Sequence, residues 1–132
     1  MNKLNASVAS IQSTENLSIV SFKVQAQEMS MVSLGLNIPI KLDSQVVLGF
    51  KANSVALAKE FSGVISTSNQ LKCIVKSIRN GELLSSIKLS VSDEIIESVI
   101  TYKSALKMNL QVGDEVIALV KANELSILEV QV

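Results

Sequence analysis

The triplet Lys-Ala-Asn occurs twice, at residues 51–53 and 121–123. Each time it follows directly on an apolar run, Val46-Val47-Leu48-Gly49-Phe50 in one case and Val116-Ile117-Ala118-Leu119-Val120 in the other. Upstream, NKLNASVASI at 2–11 aligns with NQLKCIVKSI at 69–78. The offset of 67 (69 − 2) pairs Asn2 with Asn69, Leu4 with Leu71, Ser10 with Ser77 and Ile11 with Ile78. A chain that repeats itself over most of its length builds one supersecondary unit twice. Units this small bury too little apolar surface to be very stable alone, so the two are expected to pack on each other.

Within each copy the pattern is that of strands. Residues 2–11 place Leu4, Ala6 and Val8 on one face and Asn5 and Ser7 on the other, the period of a half-buried strand. A loop at 12–16 leads to a second strand at about 17–24, where Val20, Phe22 and Val24 stand in the places of Ile87, Leu89 and Val91. A turn at 25–28 leads to a third, in which 29–34 matches 96–101. The copies then diverge. Thr101 is placed to cap a short helix over YKSALKMNL. The first copy has Gly35-Leu36-Asn37-Ile38-Pro39 there, and proline opposes a helix. At the triplets the offset is 70 (121 − 51), so the first copy is three residues shorter (70 − 67) and its helix should be truncated or missing. The runs 46–50 and 116–120 predict strands covered on both faces, and each copy closes on a short strand, at about 55–58 and 125–130. Asn80-Gly81 predicts a type I′ hairpin turn, because both residues tolerate positive φ. Lys59 to Ser68 reads as a linker packed through Phe61, Val64 and Ile65.

Five strands with a helix between the third and fourth is the order of a small OB-type barrel. The predicted fold class is all-β: two tandem OB-like five-stranded β-barrels with a short helix in the second, residues 1–60 forming the first, 61–68 a linker and 69–132 the second. With 48% hydrophobic residues and only Phe22, Phe50, Phe61 and Tyr102 aromatic, the core must be aliphatic. Twelve basic residues against twelve acidic ones give no long-range field toward nucleic acid or an anionic membrane. The absence of histidine removes the commonest transition-metal ligand and the usual general base. No nucleophile-base pair, metal cluster or phosphate loop can be assembled, so an enzyme is not expected. Cys73 lies in an apolar run without an intrachain partner and reads as a core residue in a reducing cytoplasm. No apolar stretch approaches the ~18 residues of a membrane span. MNKLNASVAS lacks a signal-peptide core, and a cytoplasmic protein is expected.

The second copy resembles a known family: the molybdopterin-binding (Mop) domains of molbindins and of the molybdate-responsive transcription regulator, with the related TOBE domain of molybdate-transporter ATPases. The resemblance is carried by Asn69-Gln70-Leu71-Lys72, Val99-Ile100-Thr101, Val112-Gly113-Asp114-Glu115-Val116 and Lys121-Ala122, at the expected spacing. The first copy keeps Asn2-x-Leu4, Val46 and Lys51-Ala52-Asn53 but not Gly-Asp-Glu. What the resemblance implies is tandem Mop domains that bind molybdate or tungstate at interfaces between units. It also implies no organic cofactor, no ligands to a metal cation, and a homo-oligomer, a trimer as in tandem-Mop molbindins. A tetrahedral dianion held without covalent bonds needs N–H and hydroxyl donors and one or two fixed cations, which this composition supplies. The family's leading Ser-Ala-Arg-Asn-Gln falls on Ser66-Thr67-Ser68-Asn69-Gln70, with Ser68 replacing the arginine and its bidentate charge. The family's threonine falls on Thr101, and its lysine and following residues fall on Lys121, Ala122 and Asn123. In the first copy Lys51, Ala52 and Asn53 correspond, and Leu34 occupies the threonine position. With Met1 at the start, nothing is expected before Asn2 to stand for Ser-Ala-Arg.

Plainer readings of the same residues stay open. Lys51 and Lys121 suit strand ends in solvent, Thr101 suits a helix cap alone, Ser66 and Ser68 suit a linker, and Asn53 and Asn123 suit turns. The expected function is storage, buffering or delivery of molybdate or tungstate. The alternative is the effector-sensing half of a molybdate-responsive regulator or transporter; with both copies accounted for, a helix-turn-helix or an ATPase is not expected within these residues. Single-stranded nucleic acid or sugar would need a basic groove with stacking aromatics, which four scattered aromatics do not make.

Overall fold

A computed structural model describes residues 1–131. The alternating pattern gives β1 (Asn2–Thr14), β2 (Leu17–Val24), β3 (Gln27–Leu34), β4 (Gln45–Phe50) and β5 (Ala56–Ala58) in the first copy. The second copy gives β6 (Asn69–Asn80), β7 (Leu84–Val91), β8 (Glu94–Thr101), β9 (Glu115–Val120) and β10 (Ser126–Gln131), with helix α1 (Tyr102–Lys107) after β8. Thr101 caps α1 as its sequence predicts, its Oγ1 accepting from Ser104 N. The Pro39 segment of the first copy is not helical.

The strands form two five-stranded sheets in the same spatial order, β10-β4-β1-β2-β3 and β5-β9-β6-β7-β8. Their closing strands are exchanged. β5 pairs with β9 of the second sheet, and β10 pairs with β4 of the first. The sheets therefore do not divide along the sequence at 61–68: the first takes strands from 2–50 and 126–131, the second from 56–58 and 69–120. The exchange is matched side chain for side chain. A Cβ on Gly49 would lie 2.5 Å from Leu128 of β10, whereas the corresponding positions in the other sheet carry Leu119 and Ala58. One core cluster runs through both sheets, with Leu4, Phe22, Met29, Leu48 and Phe50 from the first copy and Leu71, Ile87, Leu89 and Ile96 from the second, all essentially without solvent exposure.

Several local expectations are corrected. β1 does not stop at Ile11 but runs to Thr14, because Gln12, Ser13 and Thr14 continue the ladder against Ile19, Ser18 and Leu17, and the chain turns at Glu15 with φ 40°. Asn80-Gly81 is not a type I′ turn. Asn80 stays in β6 opposite Ser85, whose hydroxyl donates to Asn80 Oδ1, and the reversal falls on Gly81-Glu82-Leu83, closed by Gly81 N on Leu84 O. In the linker Val64 is fully exposed, while Phe61 and Ile65 are half-buried.

The Gly-Asp-Glu motif proves to be a bend that delivers the chain into β9. Gly113, at φ 95°, donates to Val75 O; Val75 N donates to Asp114 O; and Asp114 Oδ2 accepts from Gln111 N. The first copy makes the same bend without the motif. Asp43 takes the left-handed backbone at φ 69° and donates to Val8 O, and Ser44 Oγ accepts from Lys41 N as Asp114 does from Gln111. Lys59 Nζ lies 2.9 Å from Asp114 Oδ2 and 2.7 Å from Asn109 O, so β5 ends tied to that bend. That hydrogen bond, with the Gln111 N–H, holds the Asp114 carboxyl below its ordinary value. Cys73 is buried and its thiol donates to Leu71 O; burial pushes its pKa up to about 11, which keeps it a neutral core side chain.

Candidate functional site

The strand exchange gives the two Lys-Ala-Asn triplets a structural meaning. Each opens the segment by which the chain leaves one sheet for the other. Lys51 follows β4 with φ −76° and ψ 145°, and Ala52–Ser54 form a single 3₁₀ turn that passes to β5. Lys121 follows β9 with φ −66° and ψ 146°, and Ala122–Glu124 form the same turn on the way to β10. The turns close alike, through Ser54 N on Lys51 O and Glu124 N on Lys121 O. Val55 and Leu125, the next residues, are buried and pin the crossings into the core. This leaves Lys51, Asn53, Lys121 and Asn123 exposed on the outside of each turn. The two crossings meet, Ser54 Oγ lying 3.1 Å from Glu124 Oε2.

The other candidates distribute around these crossings. In the β6–β9 ladder Asn69 opposes Val120, so the residues one step beyond are Ser68 and Lys121. The Ser66-Thr67-Ser68 segment thus runs beside the second triplet, Ser66 and Ser68 exposed and Thr67 O accepting from Gln70 Nε2. In the first sheet Asn2 opposes Phe50, which puts Met1, without a hydroxyl, beside Lys51. Thr101 ends β8, the strand on which the first crossing packs, and Ser98 Oγ of the same strand donates to Val55 O. Thr101 Oγ1 is shared with Ser104, N–H at 3.1 Å and hydroxyl at 2.9 Å. The second crossing packs on β3, which ends in Leu34, a leucine 80% exposed where Thr101 stands in the other copy. The first triplet is therefore set against the threonine-bearing strand, and the second against its own serine segment.

Asn69, which the resemblance puts among the anion contacts, has a different placement from its neighbours. Its side chain is completely buried, and its carboxamide is committed at both ends to the other copy, Oδ1 accepting from Ser30 N and Nδ2 donating to Ser30 O. Asn2 does the same to Glu97, the residue equivalent to Ser30. A second pair of clasps repeats the symmetry: Gln27 binds the backbone of Lys72, and the Glu94 carboxylate accepts from Asn5 N. The recurrence of Asn2 and Asn69 was visible in the sequence. Their partners were not, because a backbone N–H and C=O on the opposite copy carry no residue-type signature.

A groove of about 720 Å³ lies away from the candidates, walled by Phe61, Lys72 and Ile74. Glu60 and Glu115 also line it, and two carboxylates against one ammonium disfavour an anion there. Among the described residues no group of three His, Cys, Asp or Glu side chains could hold a metal cation, and no helix is long and apolar enough to cross a membrane.

The TOBE domain matches residues 65–127. A molybdate binding protein from Sporomusa ovata is 34% identical, with a TM-score of 0.50, and matches over 51% of this chain and 100% of its own. The structure of ModG, a cytoplasmic molybdate-binding protein crystallised with molybdate bound, superposes with a TM-score of 0.89 at 21% identity, over 96% of this chain and 94% of its own. That likeness shows the same two-sheet OB-like fold along nearly the whole chain. No curated protein matches the sequence.

Proposed function

The chain belongs to the family of the Sporomusa ovata molybdate binding protein, with the TOBE domain in its second half, and on that premise we propose that it binds molybdate or tungstate in the cytoplasm for storage, buffering or delivery. The observation that carries this reading is the pair of crossings, where each triplet presents an exposed lysine and asparagine beside hydroxyl-bearing segments. Each such set offers one cation and several neutral N–H and hydroxyl donors, which is the chemistry a tetrahedral dianion requires. The proposed contacts are Lys51, Ala52 and Asn53 with Thr101, and Lys121, Ala122 and Asn123 with Ser66, Thr67 and Ser68. Asn69 supports the second group by holding its strand on the other copy.

A further part of the proposal is that these sites are completed between copies of the chain in a trimer. Leu34, Leu83 and Val112 are exposed at 80%, 80% and 66%, apolar surface that assembly would cover. Light scattering at micromolar concentration separates a trimer from a monomer. Calorimetric titration of Lys121→Ala with molybdate tests the site itself. Loss of one charge-assisted hydrogen bond costs about 1.5–3 kcal/mol, so affinity should fall at least about ten-fold. Unchanged affinity would remove the triplet from the site.

A further inference from the structure

The two crossings are alike until the residue after the triplet, where the first has Ser54 and the second Glu124, at the common offset of 70 (124 − 54). Because the crossings meet, this difference is not confined to one of them. Ser54 Oγ donates to Glu124 Oε2 at 3.1 Å, which places the carboxylate at the junction of both turns, and Glu124 is exposed. Among the described residues neither Lys51 nor Lys121 forms a salt bridge with it; the ion pair seen is Lys59 with Asp114. One carboxylate, neutralised by neither lysine, therefore sits where the two turns meet, next in sequence to the second triplet and hydrogen-bonded to the residue that follows the first.

Resting on the oxyanion reading above, we infer that Glu124 sets the charge selectivity of this junction, weakening the binding of dianions at the two triplets more than that of monoanions. The reason is Coulombic. The repulsion scales with the charge of the ligand, while replacing Glu124 leaves the hydrogen-bond donors of the turns in place for either anion. At a separation of several ångströms and an effective dielectric between water and protein interior, a carboxylate against a dianion raises Kd about ten-fold, and against a monoanion by the square root of that, about three-fold. The functional consequence is a site from which molybdate exchanges readily, as delivery needs, instead of one that retains it.

The test uses the full chain, with molybdate as the tetrahedral dianion and perrhenate as a tetrahedral monoanion, titrated calorimetrically at neutral pH and fixed ionic strength into the wild type, Glu124→Gln and Glu124→Ser. The expected result is about ten-fold tighter molybdate and about three-fold tighter perrhenate in both variants. Should Glu124→Gln fold poorly, Glu124→Ser, which installs the first copy's own residue, carries the comparison. Equal gains for the two anions would show that a change of shape, not of charge, was responsible, and would overturn the inference. Unchanged affinities in variants of a wild type that binds molybdate would overturn it while leaving the proposed function standing. A wild type and variants that all fail to bind would overturn both.

Discussion

Ending the chain after Leu125 is expected to unfold the first sheet before the second. The removed residues belong to the second copy by sequence, yet β10 pairs along β4 of the first sheet, Ile127 opposite Leu48 and Val130 opposite Val46. Ile127 and Val130 pack against the core, and Leu128 lies over Gly49. Their loss removes several ladder hydrogen bonds at about 1 kcal/mol each. It also removes part of the apolar burial of two side chains, worth about 1.5–3 kcal/mol apiece when complete. A total of about 5 kcal/mol is comparable with the whole stability of a small domain. Denaturant unfolding should show the midpoint collapse, and hydrogen exchange should show β4 amides losing protection ahead of β9 amides. Loss of protection confined to β9, or an unchanged midpoint, would mean that the closing strands are not exchanged.

Replacing Asn69 by alanine should destabilise the protein by about 2–4 kcal/mol, because it strands the N–H and C=O of Ser30 in a partly buried interface, each worth about 1–3 kcal/mol when left unpaired. Asn69→Asp should not rescue it, since the acceptor for Ser30 N is kept but the donor to Ser30 O is lost and a charge is buried. Asn2→Ala should cost less, the residue retaining 7% exposure against none for Asn69, so that water can partly replace it at Glu97. Equilibrium denaturation of the three variants measures this. An effect below about 0.5 kcal/mol for Asn69→Ala, the range of an ordinary surface change, would contradict the clasp. Where Asn69→Ala shows the full destabilisation, a loss of ligand binding in it follows from the broken interface.

The repeat, the strand pattern and the single helix were legible because each is written in local periodicity or capping: Leu4, Ala6 and Val8 alternate into the core, and Thr101 caps α1. The exchange of β5 and β10 was not legible, because a closing strand such as Ala56–Ala58 satisfies the same pattern on either sheet, and a contact such as Leu128 over Gly49 is visible only in the fold. The bend before β4 was hidden for another reason. The first copy lacks Gly-Asp-Glu, yet Asp43 tolerates the left-handed backbone and Ser44 supplies the acceptor, so chemistry was kept where letters changed. Of the candidate site, the triplets could be found by recurrence. What they do in the fold, carrying the chain across and meeting at Ser54 and Glu124, depends on residues whose separation in sequence is 70.

Selective oxyanion binding, as proposed for this chain, is measured by calorimetric titration of the wild-type protein with molybdate, tungstate and sulfate under identical buffer and salt. Molybdate and tungstate, nearly equal in size, should bind alike. Sulfate is smaller and cannot meet all the donors of a fixed set at once, so it should bind at least about ten-fold more weakly, the equivalent of about 1.4 kcal/mol of lost fit. Equal binding of all three, or heat from none, would contradict the claim.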